Sequence, residues 1–227
     1  MRKPKQLEFK KVKGWGGKRR NAGRPNKTGT VHHMKREEVN FKRPLHITLK
    51  LKSGLKNLRV PPLLEQFKIS AEKAKQQGLR LIHFSIQTNH LHLLVECRDN
   101  ETLSRGMKSL GCKLGKAIRK YCGGSGPVFK GRFHLQVIKN PTQARNSLAY
   151  VLLNEAKHKK FIPYKDAYSS AGHFHEWRRL LGRNTGPILQ YGRQVKRSLP
   201  GHLSAPHSWL AREGWKRAAR DKPAFAR

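Results

Sequence analysis

Residues 79–96 read LRLIHFSIQTNHLHLLVE, and this stretch decides the fold. Apolar and polar residues alternate on both sides of Thr88-Asn89, the pattern of two half-buried strands joined by a tight turn. With Thr88-Asn89 as a two-residue turn, Ile86 faces Leu91, Phe84 faces Leu93 and Ile82 faces Val95. That register gathers every large apolar pair on one face, Leu94 excepted. The opposite face carries His83, Ser85, Gln87, His90 and His92. Thr-Asn is not the strongest turn pair, so the side-chain pattern, not the turn, sets the register.

Working outward, Leu45, Ile47, Leu49 and Leu51 alternate with His46, Thr48 and Lys50 and predict a strand. Pro61-Pro62 opens a helix with apolar positions Leu64, Phe67, Ala71 and Ala74, closed by Gly78. On the other side, Asp99-Asn100 starts a second helix through Leu103, Met107, Leu110, Leu114 and Ile118. Gly106, Gly111 and Gly115 weaken it unless close packing requires them. CGGSGP (122–127) is a flexible break, and Phe133, Leu135 and Val137 alternate in a fourth strand. Asn140-Pro141 begins a third helix that runs to about His158. The order β-α-β-β-α-β-α predicts an α+β, ferredoxin- or RRM-like sandwich. Its antiparallel sheet would carry helices on one face, leave the other open, and be flanked by basic tails.

The chain has 227 residues, with 50 Lys+Arg against 13 Asp+Glu, a formal net charge of +37 that points to a polyanionic partner. Hydrophobic residues make up 36%, enough for one core with basic flanks. We divide the chain into a basic, disordered DNA-contacting arm (1–43), a central domain (44–160) and a basic C-terminal extension (161–227). The arm holds 15 Lys/Arg against 3 acidic residues. Its GGKRRNAGRPNK segment offers Arg19, Arg20 and Arg24 as phosphate contacts, Arg24-Pro25 also resembling the core of a minor-groove hook. In the extension, Trp177, Trp209 and Trp215 either pack back on the domain or stack on bases. No run of about 18 apolar residues exists to span a membrane, and the N-terminal stretch has no secretory apolar region. Three cysteines without C-x-x-C spacing suit a reducing compartment. A cytoplasmic, nucleoid-associated bacterial protein is expected.

His90-Leu91-His92 places two imidazoles on one face of a strand, where they can share a divalent cation if a third ligand approaches. Two solvated surface histidines are the plain alternative. In the third helix, Gln143, Asn146, Ser147, Tyr150, Asn154, Lys157 and His158 form a polar stripe, opposite the apolar Ala144, Leu148, Val151 and Leu152. Tyr150 and Asn154 lie one helical turn apart. Tyr150 is thus either a rim residue or a nucleophile facing a site, and Asn154 can offer an oxygen ligand.

NHLHLLVE (89–96), followed about 60 residues later by NSLAYVLLNEAKH (146–158), resembles the HUH single-tyrosine transposases. These include bacterial insertion-sequence transposases and the REP-associated tyrosine transposases. The likeness covers roughly residues 44–160, extends loosely to YSSAGHF (168–174), and includes the GGKRRNAGRP leader. It implies that His90, His92 and Asn154 bind Mg²⁺ or Mn²⁺ and that Tyr150 attacks a scissile phosphate. A 5′-phosphotyrosine intermediate and strand transfer on single-stranded or hairpin DNA would follow, the chemistry of DNA transposition. A phenol of pKa about 10 is a weak nucleophile at neutral pH, so metal charge and neighbouring cations would assist it. A homodimer is also implied, since some members place the tyrosine helix in trans. Where REP-associated relatives show an Asn-Pro-Val type segment, this chain has Asn154-Glu155-Ala156, which bears on the substrate subclass.

His46, His83 and His134 share the predicted sheet face with the histidine pair. Lys130, Arg132, Lys139 and His134 surround the fourth strand, and with Lys157 they extend the set of candidate nucleic-acid contacts. The rival reading is a non-catalytic or domesticated RRM-like nucleic-acid-binding protein. Such modules stack bases on sheet-face aromatics, whereas KGRFHLQV (130–137) offers only Phe133, which alternation turns toward the core. A ribosome-associated structural protein would explain the charge but gives the histidines and tyrosine no task.

Overall fold

The computed structural model describes residues 36–159, 166–181 and 199–218, with backbone alone over 155–159. Its elements follow the predicted order: β1 (Leu45–Lys50), α1 (Pro61–Gln76), β2 (Arg80–Ile86), β3 (His90–Glu96), α2 (Asn100–Cys122), β4 (His134–Val137) and α3 (Pro141–Lys159). Short α4 (Trp177–Leu181) and α5 (Trp209–Arg212) follow. The four strands form one antiparallel sheet in the order β2-β3-β1-β4. At the hairpin, Ile86 pairs with Leu91 and Phe84 with Leu93, and the Gln87 N–H donates to the His90 carbonyl at 2.8 Å across Thr88-Asn89. Val95 departs from the expected register: it pairs with Leu81, not Ile82, because the ladder is irregular between Leu81 and His83. An extra residue on one strand shifts all pairing beyond it by one.

Helices α1 and α2 cover the face that the alternation makes apolar. Pro61 starts α1 at a position where its missing N–H forfeits no intrahelical bond. The Asp99 carboxylate caps α2 by accepting the Thr102 N–H at 2.8 Å. Leu103, Met107, Leu110, Leu114 and Ile118 are buried against Ile47, Leu91 and Leu93 of the central strands in one cluster. Gly106 is required there, since a Cβ would stand 2.4 Å from the Leu79 Cβ. Gly111 and Gly115 would meet only Phe129, at 4.0 and 3.5 Å, an ordinary contact.

The other face is not open. Leu94, Ile138, Ala144, Leu148, Ala149, Leu152 and Leu153 form a second buried cluster with Trp177, Leu180, Leu210 and Trp215. The expectation of helices on one face alone is therefore corrected: α3 lies on the opposite face, and described parts of 166–218 complete a core there. The cause is Leu94, the one large apolar side chain that the hairpin turns toward the polar face, together with an α3 buried on more than one side. The free edge of β2 is covered as well. The Ile86 N–H donates to the Tyr168 carbonyl, the Ser170 N–H to that of Phe84, and the Ser204 N–H to that of Leu81. Among the described residues, no helix is long and apolar enough to cross a membrane.

Candidate active site

Ladder register places the site. Across β1–β3, Thr48 stands opposite His92 and Lys50 opposite His90, while Ser85 faces His92 from β2. His90 and His92 project to one side of β3, with ring centroids 4.7 Å apart. The His92 ring is buried, and its Nδ1 meets Thr48 Oγ1 at 3.1 Å and His46 Nε2 at 3.3 Å. Burial pushes its pKa down to about 3, and the nearby His90 and His46 charges push the same way. His92 is thus a neutral imidazole near neutral pH. Its Nε2 is buried without a hydrogen-bond partner among the described residues. His90 Nδ1 lies 2.7 Å from Asn89 Oδ1. Burial lowers the His46 pKa too, against a hydrogen bond with Gln136 that raises it.

Helix α3 delivers the tyrosine. The Tyr150 ring stands edge-on to His92, centroids 4.8 Å apart and planes at 85°, and 5.7 Å from the His46 ring. Tyr150 is 39% exposed, so its ring lines the rim of a surface that solvent and a large substrate can reach. One turn further, Asn154 is buried, with Nδ2 unpartnered among the described residues. Ser147 is also buried, so the polar stripe of α3 is partly turned inward instead of lying wholly in solvent.

The histidine pair and Tyr150 thus meet, though they are about 60 residues apart in sequence. His83 lies apart from them: it is half-buried, its Nδ1 3.1 Å from Ser170 Oγ and its ring edge-on to Phe174. Lys130, Arg132 and His134 are exposed along the approach to β4 and on it. Arg19, Arg20, Arg24 and the Lys157 side chain lie outside the described residues. Sequence reasoning missed Thr48 as an orienting group, because its place beside His92 depends on the β1–β3 register, which no local pattern in β1 specifies.

The donor set fits a divalent cation in its chemistry. His92 is neutral, carries hydrogen-bonding neighbours on Nδ1, and keeps a buried Nε2 with no partner among the described residues. Metal-binding imidazoles commonly have this arrangement, one nitrogen oriented by a neighbour and the other free. Among the described residues no three His, Cys, Asp or Glu side chains converge as a metal group. An ion here would therefore rely on His90, His92 and an oxygen donor such as the Asn154 amide.

Solved structures to which the chain is similar include the following three. A REP-associated tyrosine transposase bound to a REP hairpin matches at 16% identity and a TM-score of 0.49, covering 62% of this chain and 82% of that one. A candidate transposase from Deinococcus radiodurans R1 matches at 17% identity and a TM-score of 0.36, covering 49% and 92%. A bacterial tRNA(His) guanylyltransferase-like protein in complex with ATP matches at 10% identity and a TM-score of 0.40, covering 59% and 65%. No family model and no curated protein matches the chain. The functional reading therefore rests on the residues of the site, not on these likenesses.

Proposed function

We propose that this protein is a transposase-like single-strand DNA endonuclease and strand transferase with Tyr150 as nucleophile. The observation that carries the reading is the packing of the Tyr150 ring on His92, beside His90 and His46. In this reading the Tyr150 oxygen attacks a backbone phosphorus, the P–O3′ bond breaks, and the 3′ oxygen leaves as a hydroxyl after taking up a proton. A 5′-phosphotyrosine results. Attack by a 3′-hydroxyl on that linkage reverses the step and joins strands, which is the chemistry of transposition.

His90, His92 and the Asn154 oxygen would hold a Mg²⁺ or Mn²⁺ ion, which when bound neutralises charge on the scissile phosphate. Thr48 and His46 hold the His92 ring, and α3 fixes the phenol at the rim. A formal charge of +37 supports a nucleic-acid partner, which we take to be single-stranded or hairpin DNA. The rival RRM-like binding module needs an open sheet face with stacking aromatics. Here α3 covers that face, and Phe133 packs against the α1/α2-side cluster.

Incubation with a single-stranded hairpin DNA and Mn²⁺ should yield a denaturant-resistant protein–DNA adduct. Tyr150→Phe should abolish the adduct while leaving DNA binding nearly intact, since only the attacking oxygen is lost. An adduct at wild-type level from the Phe variant would overturn the assignment.

A further inference from the structure

Away from the histidine pair, a cleft of about 430 Å³ opens between the turn that precedes β1 and the start of α5. Phe41 and Trp209 line it, 50% and 46% exposed. Single exposed aromatics are ordinary on protein surfaces. Two of them in one concave site, beside Lys42 and Arg43, are not explained by folding alone, whereas Lys139, also lining the cleft, is paired with Glu37 at 2.7 Å. Among the described residues none lining the cleft is acidic.

The wall that carries Trp209 is held firmly. The buried Glu96 carboxylate, at the end of β3, accepts both the His207 and the Ser208 N–H, each at 2.8 Å. Arg80 donates to the Ala205 carbonyl at 2.6 Å, and Ser208 caps α5 through the Ala211 N–H. The indole itself lies against Gly214, where a Cβ would come within 2.8 Å of its Cζ3 and 2.9 Å of its Cε3. The Arg217 guanidinium sits over the ring, 5.5 Å from its centroid. On the opposite wall the Phe41 ring stands edge-on to His207, centroids 6.3 Å apart. An aromatic surface fixed in place yet left half open loses little entropy on binding, which is what a stacking platform requires.

We propose that this cleft is a stacking pocket for an unpaired nucleobase of single-stranded nucleic acid, with Lys42 and Arg43 contacting the adjoining phosphates. Every base has a π-face, so such a site accepts single strands with little regard to sequence. A duplex keeps its bases stacked internally and gains only the phosphate contacts. Pro141, also in the cleft, is the first residue of α3, nine residues before Tyr150. At 1.5 Å per residue this is about 14 Å along the helix, so a short run of strand would reach from the pocket toward the tyrosine. The proposal rests on the nucleic-acid reading above and deepens it.

Binding of the full chain to a short oligothymidine and to a duplex of equal length tests it. Trp209→Ala should weaken oligothymidine binding about five- to a hundredfold, the span seen when one stacking aromatic is removed. Trp209→Phe should restore most of that loss, duplex affinity should stay near wild type, and the salt slope should not change. Phe41→Ala, on the other wall, should repeat the selective loss and serves if Trp209→Ala melts early. Wild-type oligothymidine affinity in both Ala variants, an equal loss on duplex, or no binding by the wild-type chain would each overturn the pocket. The adduct assay, run in parallel, separates the two readings. Trp209-dependent binding without an adduct supports the pocket and sinks the nucleophile, whereas an adduct without Trp209 dependence does the reverse.

Discussion

The Thr48 hydroxyl lies 3.1 Å from His92 Nδ1, directly across the β1–β3 ladder. This contact holds the imidazole plane, and in the tautomer that donates the Nδ1 proton to Thr48 the Nε2 lone pair is left for a ligand. Thr48→Val preserves the shape and removes the oxygen. Mn²⁺ affinity should fall about ten- to a hundredfold, as for other neighbours of metal-binding histidines. Calorimetric titration of the variant checks this, and wild-type affinity would show that Thr48 does not orient His92.

The three glycines of α2 should separate by mutation. Gly106→Ala forces a Cβ onto Leu79 and should destabilise by about 1–3 kcal/mol, despite the better helix propensity of alanine. Gly111→Ala meets no tight contact and should stabilise by roughly 0.5–1 kcal/mol. Urea midpoints of the two variants should move in opposite directions. Equal shifts would mean that Leu79 yields.

Glu96 is buried and serves two backbone donors, so Glu96→Gln replaces an anion that accepts twice with an amide that must also donate. Hydrogen bonds to charged groups contribute about 1.5–3 kcal/mol each, and a loss of roughly 2 kcal/mol is expected. Thermal unfolding should begin several degrees lower, with more rapid proteolysis near residues 205–209. An unchanged Tm would remove the clamp from the account of the Trp209 wall.

Acid should unfold the protein partly through two histidines remote from the site. Burial holds the pKa of His83 down to about 3, with His173 adding to the effect, and that of His202 down to about 4, with Lys68 next in weight. The unfolded chain takes up these protons below about pH 6.5, while the folded chain refuses them. Stability from neutral burial is therefore whole above pH 6.5. It is lost as pH falls toward 4 and 3, by up to about tenfold in the folding constant per pH unit per histidine. Urea midpoints from pH 7 to pH 4 should fall less steeply for His83→Gln. A parallel fall would contradict the assignment.

Much of this was legible in the sequence, for physical reasons that also mark where legibility ends. Alternation about Thr88-Asn89 gave the hairpin, since a one-residue slip would turn every apolar side chain outward. The irregularity between Leu81 and His83 escaped, because Leu81 and Ile82 are both apolar and either could face Val95. Leu94 was visible as an exception on the polar face, but its partners come from 138–180 and 210–215, and no short-range pattern links them. His90, His92 and Tyr150 were found through motif order, and their side-chain contact needed the fold. The Glu96 bonds to His207 and Ser208 span 111 and 112 residues. A buried acid at a strand end gives no local sign of what it will hold.

Helix α3 rests on the same chain's sheet, so the phenol of Tyr150 and the imidazole of His92 come together without help from a second copy. For the proposed cleavage, reaction order follows from that arrangement. If each molecule carries a whole centre, cleavage per molecule will be as fast in dilute solution as in concentrated solution. Mixing chains that lack the tyrosine with chains that lack the histidines will then restore nothing. Any pairing of copies would serve to bring two DNA ends together for joining, and dilution would slow that later event while leaving the first cut untouched.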